Sequence, residues 1–341
     1  MRVDICDSYY SECDQFVLGM PTAKLCHLFA WAEMVQQRFG HKSCYLIARD
    51  SGAICGVLPL TQVRSKLFGN RMISQAFSSY GGPLANTTAT LDILYRRAIE
   101  LATKCGCESI EFRSIDPVPY DLHLCSDNVC MYMPLPTDPD ELWNGFKHQI
   151  RTKIRKALKS NIRVDSGGLE LLNDFYRVWS FRMHQFGTPC YPRKFFAGIM
   201  ETFPGKSRIF LARLNNLNVA VLFVYDFNGL VQSRWGVTLR EYDRMCPNYL
   251  LHWSAIKHYC EVGMKCFDFG KSRIGSSQYD FKRRWGTIPV QLYYQFWTRR
   301  GHELSLVRPE NPKYKNKIVA WKKLPLFMTR LIGPYISRNL P

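Results

Sequence analysis

Two stretches of the chain carry nearly the same alternation of apolar and polar positions. Residues 45–60, YLIARDSGAICGVLPL, lie over residues 209–224, IFLARLNNLNVAVLFV; Ala48 and Arg49 fall on Ala212 and Arg213, and Val57 and Leu58 on Val221 and Leu222. Each stretch reads as a strand, a tight polar turn (Asp50-Ser-Gly or Asn215-Asn) and a second strand. A helical stretch follows, Thr90 to Thr103 or Tyr249 to Glu261, and then a short strand, Ser109 to Arg113 or Lys265 to Phe269. A hairpin, helix and strand repeated at a similar interval predicts two related α+β domains in tandem.

Between the repeats, Asp138 is an N-cap candidate ahead of Pro139, with Glu141 as its capping-box partner. Leu142, Phe146, Ile150, Ile154 and Leu158 then recur every four residues, which predicts a helix with one apolar stripe. Lys147, Arg151, Arg155 and Lys159 run beside the stripe, and from Leu142 to Arg163 there are seven Lys/Arg and no acid. Like charges four apart on a helix repel, so this face is expected to meet an anion. Further helices are expected over residues 169–185 and 193–202, joined by a turn-rich segment with two prolines. Gly229 to Gly236 reads as a strand of the second sheet, and Val290 to Trp297 as its last strand. The domain plan is therefore residues 1–137, a basic connecting helix at 138–163, residues 164–300 with the main site, and a basic tail at 301–341. That tail carries eight Lys/Arg against two Glu and is broken by five prolines. Ile318 to Ile332 is expected to form short amphipathic helices packed on the body of the protein. Trp, Leu and Phe beside lysines also suit an anionic membrane surface.

The 46% apolar and 14% aromatic content of the 341 residues excludes a disordered chain. Thirteen cysteines, with no Cys-x-x-Cys pair and no hydrophobic signal core in the first residues, point to reduced thiols in a cytoplasmic protein. Cys105-Gly-Cys107 has no complementary His or Cys set at zinc spacing, so no metal is expected. No apolar run reaches the length of a membrane-spanning helix. The formal charge of +18 implies an anionic partner: nucleic acid, nucleotide or phosphate groups, or a membrane surface.

The densest chemistry lies at residues 266–286. An apolar strand signal from Cys266 to Phe269 runs through Gly270 into a polar loop. There Lys271, Arg273, Lys282, Arg283 and Arg284 face one acid, Asp280, with Tyr279, Phe281 and Trp285 interleaved. Cations and aromatics just past a strand end suit an anionic substrate and a developing negative charge. Asp268 is a candidate to orient a cation or accept a proton. His184 is a candidate general base, since an unshifted imidazole titrates near neutrality. Tyr191 and Tyr279 offer hydroxyls. Arg151, Arg155 and Lys156 are assigned to phosphate contact, for which arginine's forked donors are well shaped. Arg234 and Trp235 are adjacent cation and ring, but strand neighbours point to opposite faces.

Three ordered motifs resemble the FemAB-like branch of the GNAT acyltransferase superfamily, most closely the FemAB-like proteins associated with exosortase and exopolysaccharide loci. They are Ile150-Arg-Thr-Lys-Ile-Arg-Lys-Ala157, Met183-His-Gln-Phe-Gly-Thr-Pro-Cys-Tyr191 through Phe196, and Phe267-Asp-Phe-Gly-Lys-Ser-Arg273 through Phe281-Lys-Arg-Arg-Trp-Gly286. The tail phrase Pro309-Glu-Asn-Pro-Lys-Tyr314 fits the same subgroup, and the resemblance covers essentially the whole chain. It implies an α+β fold of two tandem GNAT-like domains, with mixed sheets flanked by helices. It also implies an acyltransferase that moves an acyl or aminoacyl group onto an amine of a cell-envelope or exopolysaccharide precursor. In the better-understood relatives an amino acid passes from aminoacyl-tRNA to the amino group of a peptidoglycan precursor. Their Phe-Lys pair falls on Phe281 and Lys282, the lysine stabilising charge at the acyl centre without an enzyme nucleophile. Lys271, Arg273 and Arg284 are then expected to hold the substrate's anionic part, with Tyr279 and Trp285 beside them.

No permanently bound cofactor is implied; the co-substrate is acyl-CoA or aminoacyl-tRNA. The Gly-rich turn with which GNAT enzymes hold a pyrophosphate has only a loose counterpart in Arg273-Ile-Gly-Ser-Ser, and no long coiled-coil insertion is found. Both donors therefore stay open. So does a non-catalytic reading, a basic RNA- or membrane-binding protein whose GNAT-like halves have lost their chemistry.

Overall fold

The computed structural model describes residues 1–116, 122–302 and 312–340. Its strands are β1 (Arg2–Cys6), β2 (Lys42–Asp50), β3 (Ala53–Ser65), β4 (Gly69–Ile73), β5 (Leu84–Ala85), β6 (Ser109–Ser114) and β7 (His123–Cys125). They continue with β8 (Asn128–Pro134), β9 (Ile162–Gly167), β10 (Ser207–Leu214), β11 (Leu217–Phe227), β12 (Leu230–Thr238), β13 (Cys266–Arg273), β14 (Ile288–Gln291) and β15 (Tyr293–Thr298). The helices are α1 (Ser11–Gly19), α2 (Phe29–Phe39), α3 (Thr88–Lys104), α4 (Pro139–Gly145), α5 (His148–Lys159) and α6 (Leu172–Phe186). After them come α7 (Arg193–Thr202), α8 (Pro247–Glu261), α9 (Ser277–Arg284), α10 (Pro312–Lys323) and α11 (Leu326–Ser337).

The chain folds as two compact units: residues 1–128, 291–308 and 338–341, and residues 129–290 and 309–337. In the first, the sheet runs β1-β2-β3-β4-β6-β15-β7, with β5 on β3. Leu94, Tyr95, Ala98 and Ala102 of α3 fall on one helical face and bury against Leu46, Leu58, Ile110 and Phe112. In the second, the sheet runs β14-β8-β13-β12-β11-β10-β9. Ile150, Ile154 and Ala157 of α5 and Leu251 and Ala255 of α8 bury against Leu222, Val224 and Phe267. Phe223, between Leu222 and Val224, points the other way, since strand side chains alternate. It meets Phe175 of α6 and Phe196 of α7 at ring separations of 5.6 and 5.5 Å.

Both predicted hairpins are present, and the likeness extends below the level of the elements. The register between β2 and β3 shifts at Ala48/Arg49, and between β10 and β11 at Ala212/Arg213. The repeated Ala-Arg pair therefore marks a β-bulge in each unit. Each arginine then reaches acids on the neighbouring edge strand and a helix. Arg49 meets Asp4 of β1 at 3.9 Å and Glu12 of α1 at 3.3 Å. Arg213 meets Asp165 of β9 at 3.1 Å and Asp174 of α6 at 3.3 Å.

Several expectations differ from what folds. The strand expected to close the second sheet lies instead in the first, where Tyr293–Thr298 pairs antiparallel with β6. Conversely β8, from the expected first domain, belongs to the second sheet between β14 and β13. The compact units are thus discontinuous and do not follow cuts at residues 137, 163 and 300. The helix read through Leu142 and Leu158 breaks at Phe146, whose ψ of 140° is extended, and its two parts are built into the second unit. Residues 271–286 are not a loop: β13 continues to Arg273 and Ser276 caps α9. The tail forms α10 and α11, but the buried face of α11 is its small one, Thr329, Gly333 and Ser337. Residues 309–311 of the tail phrase lie outside the described residues. All thirteen cysteines are free thiols. Among the described residues no cluster of His, Cys, Asp or Glu could hold a metal ion, and no helix is long and apolar enough to cross a membrane.

Candidate active site

In the second unit β12 and β13 pair in parallel only through Leu230–Cys266, Val231–Phe267 and Gln232–Asp268, although β12 runs on to Thr238 and β13 to Arg273. Two local features part them. On β12, Phe223 of β11 faces Trp235 and Val224 faces Ser233, so Arg234 is the extra residue of a bulge. On β13, Gly270 has φ +80°, and a Cβ there would stand 2.8 Å from the Ser233 carbonyl oxygen. Only glycine fits that left-handed position so close to another backbone. Asp268, wholly buried, holds the kink by accepting the Gly270 N–H at 2.7 Å.

Lys282 reaches the same point from α9. Ser276 starts that helix, its Oγ accepting the Tyr279 N–H at 3.2 Å. Trp285 anchors its end, buried against Phe146, Tyr249 and Phe269 at ring separations of 5.4, 5.8 and 5.7 Å. Lys282 Nζ donates to the carbonyl oxygens of Gly270 at 2.9 Å and Lys271 at 3.0 Å. An ammonium has three donors, so these two bonds leave one for a ligand. Burial brings the Lys282 pKa down from 10.5 to about 8; the Arg234 guanidinium adds to the fall, while Asp268 and Cys130 oppose it. His252 is a buried neighbour whose pKa falls to about 4, chiefly by burial, with the Lys282 charge contributing. Its Nδ1 is 2.8 Å from the Asn248 carbonyl oxygen. The site thus pairs an ammonium with a neutral imidazole. Two further buried groups, Gln232 Nε2 and Ser272 Oγ, stand on the parted strands without a hydrogen-bond partner among the described residues.

The structure gathers Lys282, Phe281, Asp268 and Trp285 with Gly270. Tyr279 packs half-buried against the same core, and Lys271, Arg273 and Arg284 are exposed around it. The bulge overcomes the alternation that separates strand neighbours, setting the Arg234 guanidinium 5.4 Å from the Trp235 ring centre. Of the basic helix, Arg155 lies exposed over Trp143 at 5.5 Å, Lys156 is exposed and Arg151 is half-buried. The residue that turns toward the site is Lys153, which the sequence reading passed over. Its Nζ donates to Tyr249 Oη at 2.9 Å, and Tyr249 lies against Phe281 and Trp285. The signal was its position between Ile150 and Ile154 on the buried face of the helix. His184 and Tyr191 are placed elsewhere. His184 Nδ1 is 3.3 Å from Thr329 Oγ1 of α11, and Tyr191 stacks on Trp179 of α6 at 6.1 Å. Helix α6 packs on the Phe223 face of the sheet, opposite the one α8 covers, which is why the expected general base is not beside Lys282.

The matching strands of the first unit remain stitched together. β4 and β6 pair in parallel from Arg71–Ser109 to Ile73–Glu111, and the segment after β4 continues the bonding. Ser74 N donates to the Glu111 carbonyl oxygen and Gly82 N to that of Arg113, each at 2.8 Å. Buried Arg113 pairs with Glu111 at 2.8 Å. A cavity of about 100 Å³ remains there, lined by residues that include Lys24, His27, Tyr80 and Arg113.

Residues 144–283 match the family model of an acetyltransferase (GNAT) domain, a span that holds α5, β12, β13 and Lys282. The crystal structure of FemX matches with a TM-score of 0.65 over 86% of this chain and 97% of its own, at 17% identity. A tandem GNAT protein from the clavulanic acid biosynthesis pathway matches with a TM-score of 0.54 over 89% of this chain and all of its own (100%), at 13% identity. The C-terminal domain of a putative lysylphosphatidylglycerol synthetase from Agrobacterium fabrum matches with a TM-score of 0.54 over 94% of this chain and 95% of its own, at 11% identity. No curated protein sequence matches the chain. The fold is therefore that of FemX and of the tandem GNAT protein, with a GNAT domain matched over residues 144–283.

Proposed function

We propose that the protein is a cytoplasmic N-acyltransferase that moves an acyl or aminoacyl group onto an amine of a cell-envelope or exopolysaccharide precursor, with Lys282 stabilising the acyl centre. The observation that carries this reading is the Lys282 ammonium held at the parting of β12 and β13 with one donor unused. The acceptor amine attacks the donor's ester or thioester carbonyl, and the carbonyl electron pair moves onto oxygen. A fixed ammonium in a partly dehydrated site stabilises that oxyanion more than the neutral carbonyl before it, which lowers the barrier. The carbonyl re-forms as the alkoxide or thiolate leaves, and the proton lost by the amine balances the one the leaving group takes. Arg234, Lys271 and Arg273 surround this point with positive charge suited to an anionic donor or acceptor.

Aminoacyl-tRNA is the donor this reading favours. The connection from β12 to α8, Leu239 to Cys246, contains no glycine, and α8 opens on Cys246 and Pro247 rather than on a phosphate-cradling turn. FemX and a lysylphosphatidylglycerol synthetase domain share the fold, and the name of the second refers to a lysyl group. Acyl-CoA is the second reading, supported by the GNAT domain match. Calorimetric titration with CoA separates them: one-to-one binding supports CoA, and absence of heat supports tRNA. The function itself is tested with Lys282→Met, assayed with charged tRNA or acyl-CoA and nucleotide- or lipid-linked amines. A loss of about a hundredfold or more with unchanged circular dichroism is expected; undiminished turnover rejects the assignment.

A further inference from the structure

Helix α11 is built inside out for a helix at the surface of a water-soluble body. Its small residues are the buried ones: Thr329, Gly333 and Ser337, spaced by four. They fit closely. A Cβ on Gly333 would stand 3.1 Å from both the nitrogen and the sulfur of Cys190, and Ser337 Oγ donates to the Cys190 carbonyl oxygen at 2.9 Å. Arg330 ties the helix to α6 by donating to Ser180 Oγ at 3.0 Å and the Arg177 carbonyl oxygen at 3.1 Å. The opposite face carries the large residues. Phe327, Leu331 and Tyr335, also spaced by four, are 70%, 68% and 67% exposed. Hydrogen bonds from Arg330 and Ser337 and the close approach of Gly333 to Cys190 hold the helix with this stripe outward.

The charge of the same tail says what covers the stripe. Residues 312–340 contain seven Lys/Arg and no acid. On α10, Lys315, Val319, Lys322 and Lys323 fall on one helical face and all four are exposed. A protein partner matching this surface would need an apolar groove ringed by acids. An anionic bilayer supplies both parts at once, acyl chains for Phe327 and Leu331, a headgroup layer for the amphipathic Tyr335, and phosphates for the lysines. We propose that α10 and α11 form a peripheral docking surface for an anionic lipid bilayer, with the Phe327-Leu331-Tyr335 stripe inserted at the headgroup boundary. This rests on the tail alone and stands whether or not Lys282 is catalytic.

The test is co-sedimentation of the full-length protein with vesicles of phosphatidylcholine alone or with about 30% phosphatidylglycerol, in low and physiological salt. Binding to the anionic vesicles that weakens with salt is expected, as screening of lysine–phosphate attraction requires. The variant Phe327→Ser/Leu331→Ser/Tyr335→Ser should bind about tenfold or more weakly with an unchanged circular dichroism spectrum. Lys322→Glu/Lys323→Glu should lose the preference for the anionic lipid. Three results would each overturn the proposal: no binding by the native protein, equal binding by the triple-serine variant, or a native dimer that the triple variant dissociates without any vesicle binding. The last assigns the stripe to a second copy of the chain.

Discussion

At neutral pH, holding Lys282 charged inside the fold is costly, and the cost can be read out without any substrate. A pKa near 8 in place of 10.5 means that the protonated side chain is disfavoured by about 3 kcal/mol relative to the unfolded chain. Between those two values the unfolded state binds the proton and the folded state does not, so this group makes the protein more stable as pH rises from about 8 toward 10.5. Transfer that needs the ammonium runs the other way and falls as pH rises through about 8. Competitive labelling with a trace acylating reagent, quantified by mass spectrometry, measures the titration directly. Lys282 should acquire label with a midpoint near 8. Asp268→Asn should move the midpoint down and Arg234→Gln should move it up, because those charges act on the ammonium in opposite senses. Lys282→Met removes the buried charge and, after the loss of its hydrogen bonds, should leave the protein at pH 7 unchanged or more stable by about 1–2 kcal/mol while abolishing transfer. A labelling midpoint at or above about 10 would refute the reasoning about burial. Transfer that rises through pH 8 would refute the cationic role and make the neutral amine a base.

Gly270→Ala should lower stability by about 2–3 kcal/mol and the melting temperature by about 5 °C, because φ +80° is strained for alanine and the new methyl meets the Ser233 carbonyl. Transfer should fall with it, since Lys282 donates to the Gly270 carbonyl; thermal denaturation and a transfer assay check both. Lys153→Met should reduce transfer more than Arg155→Met, because only Lys153 bonds to the tyrosine lying against Phe281. Equal effects would return the role to charge alone.

The sequence was most legible where local pattern and tertiary role coincide. The hairpin echo predicted both units, and the Ala48-Arg49 and Ala212-Arg213 pairs turn out to mark the bulges. Phe281, Lys282 and Trp285 stand out by residue type and by the resemblance, although the stretch reads as a loop and folds as a short helix capped by Ser276. What stayed hidden was long-range. Tyr293–Thr298 shows its strand character in its rings, but alternation says nothing about which edge it joins, and it pairs with β6 rather than with the second sheet. Asn128–Pro134, with its three apolar residues Val129, Met131 and Met133 facing the second core, was passed over entirely. Arg234 shows why the site's electrostatics were only partly readable. Its neighbour Trp235 seemed to face away until the bulge made strand alternation fail at that one residue. His184 illustrates the reverse case, a residue of suitable chemistry that topology carries to the other face.

The exchanged strands have a consequence for how the protein is made. When β6 leaves the ribosome it can pair with β4, but its other neighbour has not yet been synthesised; β15 follows roughly 180 residues later, about 10–35 s at ordinary rates of elongation. Until then the first sheet has an open edge at an apolar strand, a template for mispairing with another nascent chain. Most of the second unit, Val129 to Val290, is made in the interval, and its helices α10 and α11 follow β15. Birth order and folding order therefore diverge. The half begun first waits for its final strand until the chain that carries Lys282 has been made.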